Sequence, residues 1–211
     1  MTSQKYQGAE FEYQELCIQL EAMKKKNVAS RDLDPSQRQE IIGYIQSVVE
    51  RRKPTESLGS LSQQLSEELP NTKWRLAFST EQAAVGDLPK DASVFLAFDG
   101  IEQSSQERRS LDYILQFSPK TLGLKNLKAK SSYIISNIPN PQGFVDGVIE
   151  YTYESITSDI FGFANVNVGL FGLLKGRTSY IQTAYFDGRI WIEYVVGEDS
   201  ASSFTNVYVN E

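Results

Sequence analysis

Near the end of the chain, Thr178 to Phe186 and Arg189 to Val196 alternate in polarity on either side of an Asp187-Gly188 dipeptide. Asp-Gly between two such runs predicts a hairpin, because both central residues of a type I′ turn take positive φ, which Gly and Asp tolerate. With Phe186 opposite Arg189, Tyr185 pairs with Ile190, Thr183 with Ile192 and Ile181 with Tyr194, so one face is almost wholly apolar or aromatic. Gln182, Glu193 and Arg189 fall on the other face. A one-sided, strongly twisted hairpin in a mostly β chain predicts a barrel lined by these side chains. What that interior holds is then the functional question.

The rest of the chain divides by hydrophobic period. Phe11, Leu16, Leu20 and Met23 give a helical stripe from about residue 7 to 26, ending at Lys24-Lys25-Lys26, where cations complement a helix C-terminus. Asp34-Pro35-Ser36-Gln37 is a helix start with a carboxylate cap and Pro at the first position; Ile41, Ile42, Ile45, Val48 and Val49 follow until Pro54. A third stripe, Leu58, Leu61, Leu65 and Leu69, begins near Thr55 or Ser57 and ends at Pro70-Asn71. From Lys73 the period becomes two, with Trp74, Leu76 and Phe78 on one face. Strands are expected at 94–98, 111–117, about 131–137 and 144–154, the last with Val145, Ile149, Tyr151 and Tyr153 on one side. Residues 1–70 are thus a helical segment packed on a barrel of residues 71–211, one structural unit of α+β, mainly β, class with six to eight antiparallel strands.

Composition narrows the chemistry. Among 211 residues there is no histidine and a single cysteine, Cys17, so the chain alone cannot build a Cys/His zinc site, a histidine triad or an internal disulfide. Cys17 sits among Leu16, Ile18 and Leu20, the setting of an inert packed thiol. A net charge of −6 gives no long-range attraction for nucleic acid. No run of about 18 apolar residues is present, so no membrane-spanning helix is expected, and the first residues carry no recognisable secretion or import segment. Ile160 to Leu174 is uncharged and Gly-punctuated, with neither a two-residue nor a helical period. It reads either as a bulged core strand or as an apolar flap or membrane contact carrying Phe161, Phe163, Leu170, Phe171 and Leu173.

The run from Lys73 to Thr80, KWRLAFST, after a helix and a Pro-Asn turn, and the run from Thr178 to Glu193, TSYIQTAYFDGRIWIE, resemble the plastid lipid-associated protein family, also called plastid fibrillins. That family has a helix, a W-R-L-x-[YF]-[ST]-[ST] strand and a final segment of the form T-x-Y-L-D-x-x-L-R-I. The resemblance runs from about residue 9 to 196. It implies a small lipocalin-like barrel at thylakoid or lipid-globule surfaces of chloroplasts or cyanobacteria, sheltering an isoprenoid, carotenoid, quinone or other lipid, with no cofactor required. Carried across, Trp74 closes the barrel, with Arg75 or Arg189 stacked on it, and Asp187 and Arg189 form the polar pair near the last turn. Thr72 stands where lipocalin-like first strands often have Gly, and Gly188-Arg189-Ile190 replaces a longer acidic turn.

Three functions follow as expectations. In the first the chain is a non-enzymatic binding protein, peripheral to the membrane, with Tyr113, Phe117, Tyr151, Tyr153, Tyr185 and Tyr194 lining the interior. The same rings could instead simply fill the barrel. In the second it is a structural or assembly subunit docked on a membrane-embedded photosynthetic complex. In the third it is a lipocalin-like enzyme, such as a bilin-attachment protein, with Asp99, Glu102 or Asp112 as acid or base.

Overall fold

The computed structural model describes residues 2–26, 32–51, 60–81, 92–100, 109–117, 123–136, 146–161, 163–167, 175–195 and 203–211. Among these described residues three helices, α1 (Thr2–Lys26), α2 (Pro35–Arg51) and α3 (Leu61–Glu68), precede nine strands. These are β1 (Thr72–Ser79), β2 (Ser93–Phe98), β3 (Arg109–Gln116), β4 (Leu124–Ser136), β5 (Val148–Ile160), β6 (Phe163–Asn167), β7 (Thr178–Phe186), β8 (Ile190–Val195) and β9 (Phe204–Asn210). Every pairing is antiparallel. The sheet order β4-β3-β2-β1-β9-β8-β7-β5, joined by a β4–β5 pairing, closes a ring of eight strands; β6 hangs from β5 outside it. Closure removes the open edges a sheet of this length would otherwise present.

The strand that completes the ring, β9, lies beyond the last predicted strand. Its register pairs Trp74 with Asn210 on one side and Trp191 with Tyr208 on the other. The β7–β8 hairpin is not the expected type I′ turn. Phe186 opposes Trp191 and Tyr185 opposes Ile192, two residues wider than predicted, and the pairing then shifts so that Thr183 meets Glu193. The cause is Asp187, whose Oδ1 accepts the backbone N–H of Arg189 (2.9 Å) and Ile190 (2.8 Å), so the turn is organised by a side chain. Only Gly188 takes positive φ there, at 78°.

Both faces of this wall are buried, which explains its patterning. Inside the ring, Trp74, Phe98, Tyr133, Ile149, Phe186 and Trp191 pack together, and Leu61, Leu65 and Leu69 of α3 close that end. Outside, α1 and α2 lay Leu16, Leu20, Ile41, Ile45 and Val48 against Phe78, Tyr185, Ile190, Ile192, Val207 and Val209. Register shifts between Leu76 and Phe78 and between Thr183 and Tyr185 let a strand send residues two apart to opposite faces. Phe78, expected beside Trp74 and Leu76, therefore turns out to the helices.

Polar contacts lock the plug helix in place. Ser60 caps α3 by accepting from Gln63 N–H, and Asp146, just before β5, accepts from Leu61 N–H (3.0 Å), Ser62 N–H (2.8 Å) and the Ser62 hydroxyl (2.8 Å). Burial alone would raise the Asp146 carboxyl, but these bonds outweigh it and the net shift is downward. Arg109 donates to Ser66 O at 2.7 Å from the start of β3.

Candidate ligand-binding site

The ring is filled at one end and hollow at the other. The registers put Trp74, Phe98, Ser136, Val148, Phe186, Ile190 and Asn210 at the plugged end, and Ser79, Ser93, Gln116, Leu124, Ile160, Thr178 and Val195 at the opposite end. Above the aromatic floor is a cavity of about 240 Å³. Its apolar wall is Leu76, Val94, Leu96, Leu111, Ile181 and Phe204; its polar lining is Ser79, Glu81, Tyr113, Ser131, Tyr151, Glu193, Asn206 and Tyr208.

Glu193 is the residue that gives this cavity its chemistry. It lies one strand step beyond Trp191 on the inner face of β8 and is only 7% exposed. Its Oε2 accepts from the Tyr208 hydroxyl at 2.9 Å and from Asn206 Nδ2 at 2.9 Å. Burial pushes the carboxyl above its ordinary value; the two donors oppose that shift, and the negative charge of Glu81 adds to it. The surrounding phenols move in the same sense. Tyr208 is held well above its usual value by burial and then by Glu193, Tyr151 is raised by burial and by its Tyr153 neighbour, and Tyr113 is pushed up to about 12 by desolvation and by Glu193. The cavity thus favours a neutral carboxyl and neutral phenols.

Of the predicted interior residues, Tyr113 and Tyr151 line the cavity. Tyr153 stands beside Tyr151, edge-on at 5.3 Å between ring centres, with the hydroxyls 3.4 Å apart. Phe117 is half-buried just past β3 and is not among the cavity-lining residues. Tyr185 and Tyr194 are not interior. Tyr185 faces the helices, where its hydroxyl donates to Asp187 Oδ2 at 2.9 Å. Tyr194 is 40% exposed and flanks an outer groove of about 460 Å³ beside Ile45 and Val49 of α2. The two errors differ in origin: the register shift between Thr183 and Tyr185 turns Tyr185 out while Ile181 stays inside, and Tyr194 follows from β8. On β8 the alternation was assigned correctly, but the apolar face it defines belongs to the helix layer, and the face carrying Glu193 belongs to the lumen. The outer groove is roomier than the lumen and is lined by Ile45, Val49, Ala184, Ile192 and Tyr194 with Gln46, Glu50 and Gln182, but no buried carboxyl among the described residues faces it. The lumen, open at one end, holds the buried carboxyl among apolar and phenolic walls, the combination expected of a binding site.

The predicted closure residues divide in the same way. Trp74 is fully buried and seals the floor, 5.3 Å from the Phe186 ring and edge-on to Trp191 at 5.8 Å, with its Nε1 donating to Thr72 Oγ1 at 2.8 Å. It is sealed by rings, not by a guanidinium. Arg75 points outward and reaches Ser93 Oγ at 3.5 Å, and Arg189 is exposed in the turn. Asp187 works as a hub: besides its two backbone bonds, Oδ2 accepts from Tyr13 at 2.5 Å and from Tyr185, tying α1 to the hairpin.

Asp112 lies on the outer side of the wall, held at 2.5 Å by Lys128, and Asp99 is exposed at the end of β2; neither belongs to the cavity. Glu102 lies outside the described residues. Phe161 and Phe163 are 72% and 71% exposed where β5 turns into β6, whose five residues are all exposed. Leu170, Phe171 and Leu173 lie outside the described residues. Among the described residues no group of three or more Cys, Asp or Glu side chains could hold a metal ion, and no helix is long and apolar enough to cross a membrane. No family model, curated protein or solved structure matches this chain.

Proposed function

We propose that the chain is a non-enzymatic binding protein of the plastid lipid-associated kind, which takes the end of an apolar molecule into its half-open lumen while resting on a membrane surface. The observation that carries this reading is the cavity above a floor of packed rings, open at one end and lined mainly by aliphatic and phenolic side chains around one buried carboxyl. At about 240 Å³ the cavity is below the range of roughly 300–1,000 Å³ that encloses a drug-sized ligand. A whole carotenoid or a complete lipid exceeds it. The ring of an isoprenoid, the head of a quinone or a short stretch of acyl chain suits it better, with the remainder left in the membrane.

A second observation supports the membrane side of the reading. The β4–β5 register carries Ile160, Phe161 and the exposed β6 ribbon beyond the cavity's open end, so the exposed phenylalanines and the mouth share one end of the barrel. Exposed Lys175 and Arg177 follow at the start of β7. An apolar tip flanked by cations suits shallow insertion beneath lipid headgroups. The same tip favours one rival reading, in which it docks on a membrane-embedded photosynthetic complex and the lumen stays empty. A thylakoid or lipid-globule location rests on the family resemblance alone.

The test is native mass spectrometry with lipid extraction, on protein released gently from its own membranes. One isoprenoid, quinone or other lipid per chain is the expected result. An empty barrel that remains attached to a defined membrane complex would overturn the carrier reading in favour of the assembly subunit.

A further inference from the structure

The lumen's charge pattern says more about its ligand than its shape does. Two carboxyls line it, Glu81 at the mouth and Glu193 deeper, and among the described lining residues none is Lys or Arg. A barrel that captures fatty acids or phosphorylated isoprenoids needs a cation or a cluster of N–H donors to offset the cost of burying an anion. Here the buried charge-bearing group has the same sign as such ligands. Both hydrogen bonds to Glu193 fall on Oε2, so Oε1 has no partner among the described residues.

Resting on the carrier reading above, we propose that the lumen selects uncharged apolar molecules bearing one hydroxyl or carbonyl oxygen at the end that enters first, bonded by Glu193, and refuses carboxylates and phosphates. Protonated, Glu193 donates its O–H to a carbonyl or a hydroxyl; ionised, it accepts from a hydroxyl. Tyr208 and Asn206 hold the carboxyl from β9, while Ser79 of β1, Glu81 after it, Tyr113 of β3, Ser131 of β4 and Tyr151 of β5 supply the remaining polar lining. None of these carries a positive charge, so nothing on the described lining offsets the cost of burying a second anion beside the two carboxyls. An ammonium ligand would pair with an ionised Glu193, but only by desolvating both charges.

The test uses bicyclic probes of one size, titrated calorimetrically into the unmodified protein at neutral pH: naphthalene, 2-naphthol, 1,4-naphthoquinone, 2-naphthoate and 1-naphthylmethylammonium. The expected order is 2-naphthol and naphthoquinone at least about tenfold tighter than naphthalene, one hydrogen bond to a buried group being worth roughly that factor. Naphthoate is expected to be weakest. Glu193→Leu should bring the two oxygenated probes down to naphthalene's affinity. If naphthalene binds as tightly as naphthol, or if naphthoate or the ammonium probe is the tightest, the selectivity is refuted and the cavity remains a binding site. If no probe binds, naphthalene included, the carrier reading fails and the inference fails with it. The series on the unmodified protein decides the matter even if the leucine variant does not fold.

Discussion

A carboxyl only 7% exposed among phenols and aliphatic side chains either gives up its charge or destabilises the fold when it ionises. Because the folded-state value of Glu193 lies above 4.5, the folded protein holds this proton more tightly than the unfolded chain does. Its contribution to stability is therefore complete below about pH 4.5 and is lost as pH rises through the raised value, by up to about 1.4 kcal/mol for each pH unit between the two. Asp146, whose carboxyl is lowered, acts in the opposite sense at lower pH, its contribution disappearing as pH falls below the ordinary carboxylate range. Glu193→Gln keeps an oxygen for Tyr208 and Asn206 and removes the titration. Melting temperatures across a pH series should show the variant gaining on the parent as pH rises above 4.5 and levelling off once Glu193 is ionised in the folded parent; a constant gap would mean that Glu193 ionises normally. The Asp187 hub supplies a second prediction at this scale. Tyr13→Phe should cost about 1 kcal/mol in urea unfolding, and markedly less in an Asp187→Ala background, since both changes remove the same bond. The turn at Asp187-Gly188 was legible in the sequence, but not that Asp187 would organise it through its side chain. Glu193 was not: a glutamate alternating with Trp191 and Val195 reads as solvent-facing unless the opposite face is known to be claimed by helices.

At the level of elements, α3 carries more than its eight residues suggest. Leu65 and Leu69 are fully buried against the Trp74 and Trp191 floor, and the helix is held there largely by Asp146 from the β4–β5 connection. Asp146→Ala should cost about 1–2 kcal/mol, the usual worth of a helix cap, and speed amide exchange in α3 before the strands. Gly147→Ala is expected to be worse. Its φ is 72°, and a Cβ there would lie 2.6 Å from Leu61 Cδ2 and 3.2 Å from Thr183 O, driving the plug off the barrel. Uniform exchange across α3 and the strands in both variants would show that the cap does not govern docking. The existence of the helices was readable from their stripes and from the Asp34-Pro35 start, where Asp34 accepts from Ser36 and Gln37 N–H as a cap should. But Phe11 of the first stripe is exposed, α3 starts at Leu61 behind Ser60 and not near Thr55 or Ser57, and Leu58 lies outside the described residues. The faces of β1 and β7 were misread beyond their register shifts, because a bulge changes which side a residue faces without changing residue type.

The whole molecule is two cores sharing one wall, and that division predicts how it comes apart. The interior core draws on α3 and the inner faces of the strands, and none of its buried residues comes from α1 or α2; the outer core depends on both. That an antiparallel barrel would form was legible from the period-two runs, but the strand that completes it was not, since Phe204–Asn210 is short and lies past the Asp-Gly hairpin that looked terminal. Closure nonetheless falls on that segment. Strand β9 pairs with β1 and β8 at once, gives Tyr208 to the interior core, and gives Val207 and Val209 to the outer one. Deleting residues 203–211 should therefore abolish the near-ultraviolet dichroism of Trp74 and Trp191 and broaden the urea transition, because the ring opens and both cores lose buried side chains. Deleting residues 2–26 should act differently. The ring stays closed, the tryptophan signal persists, and the uncovered outer face, with Tyr185, Ile190, Ile192 and Val209, binds a hydrophobic dye and promotes self-association. If the two truncations lose the tryptophan signal equally, the cores are one cooperative unit and the helix layer is required for the barrel to close.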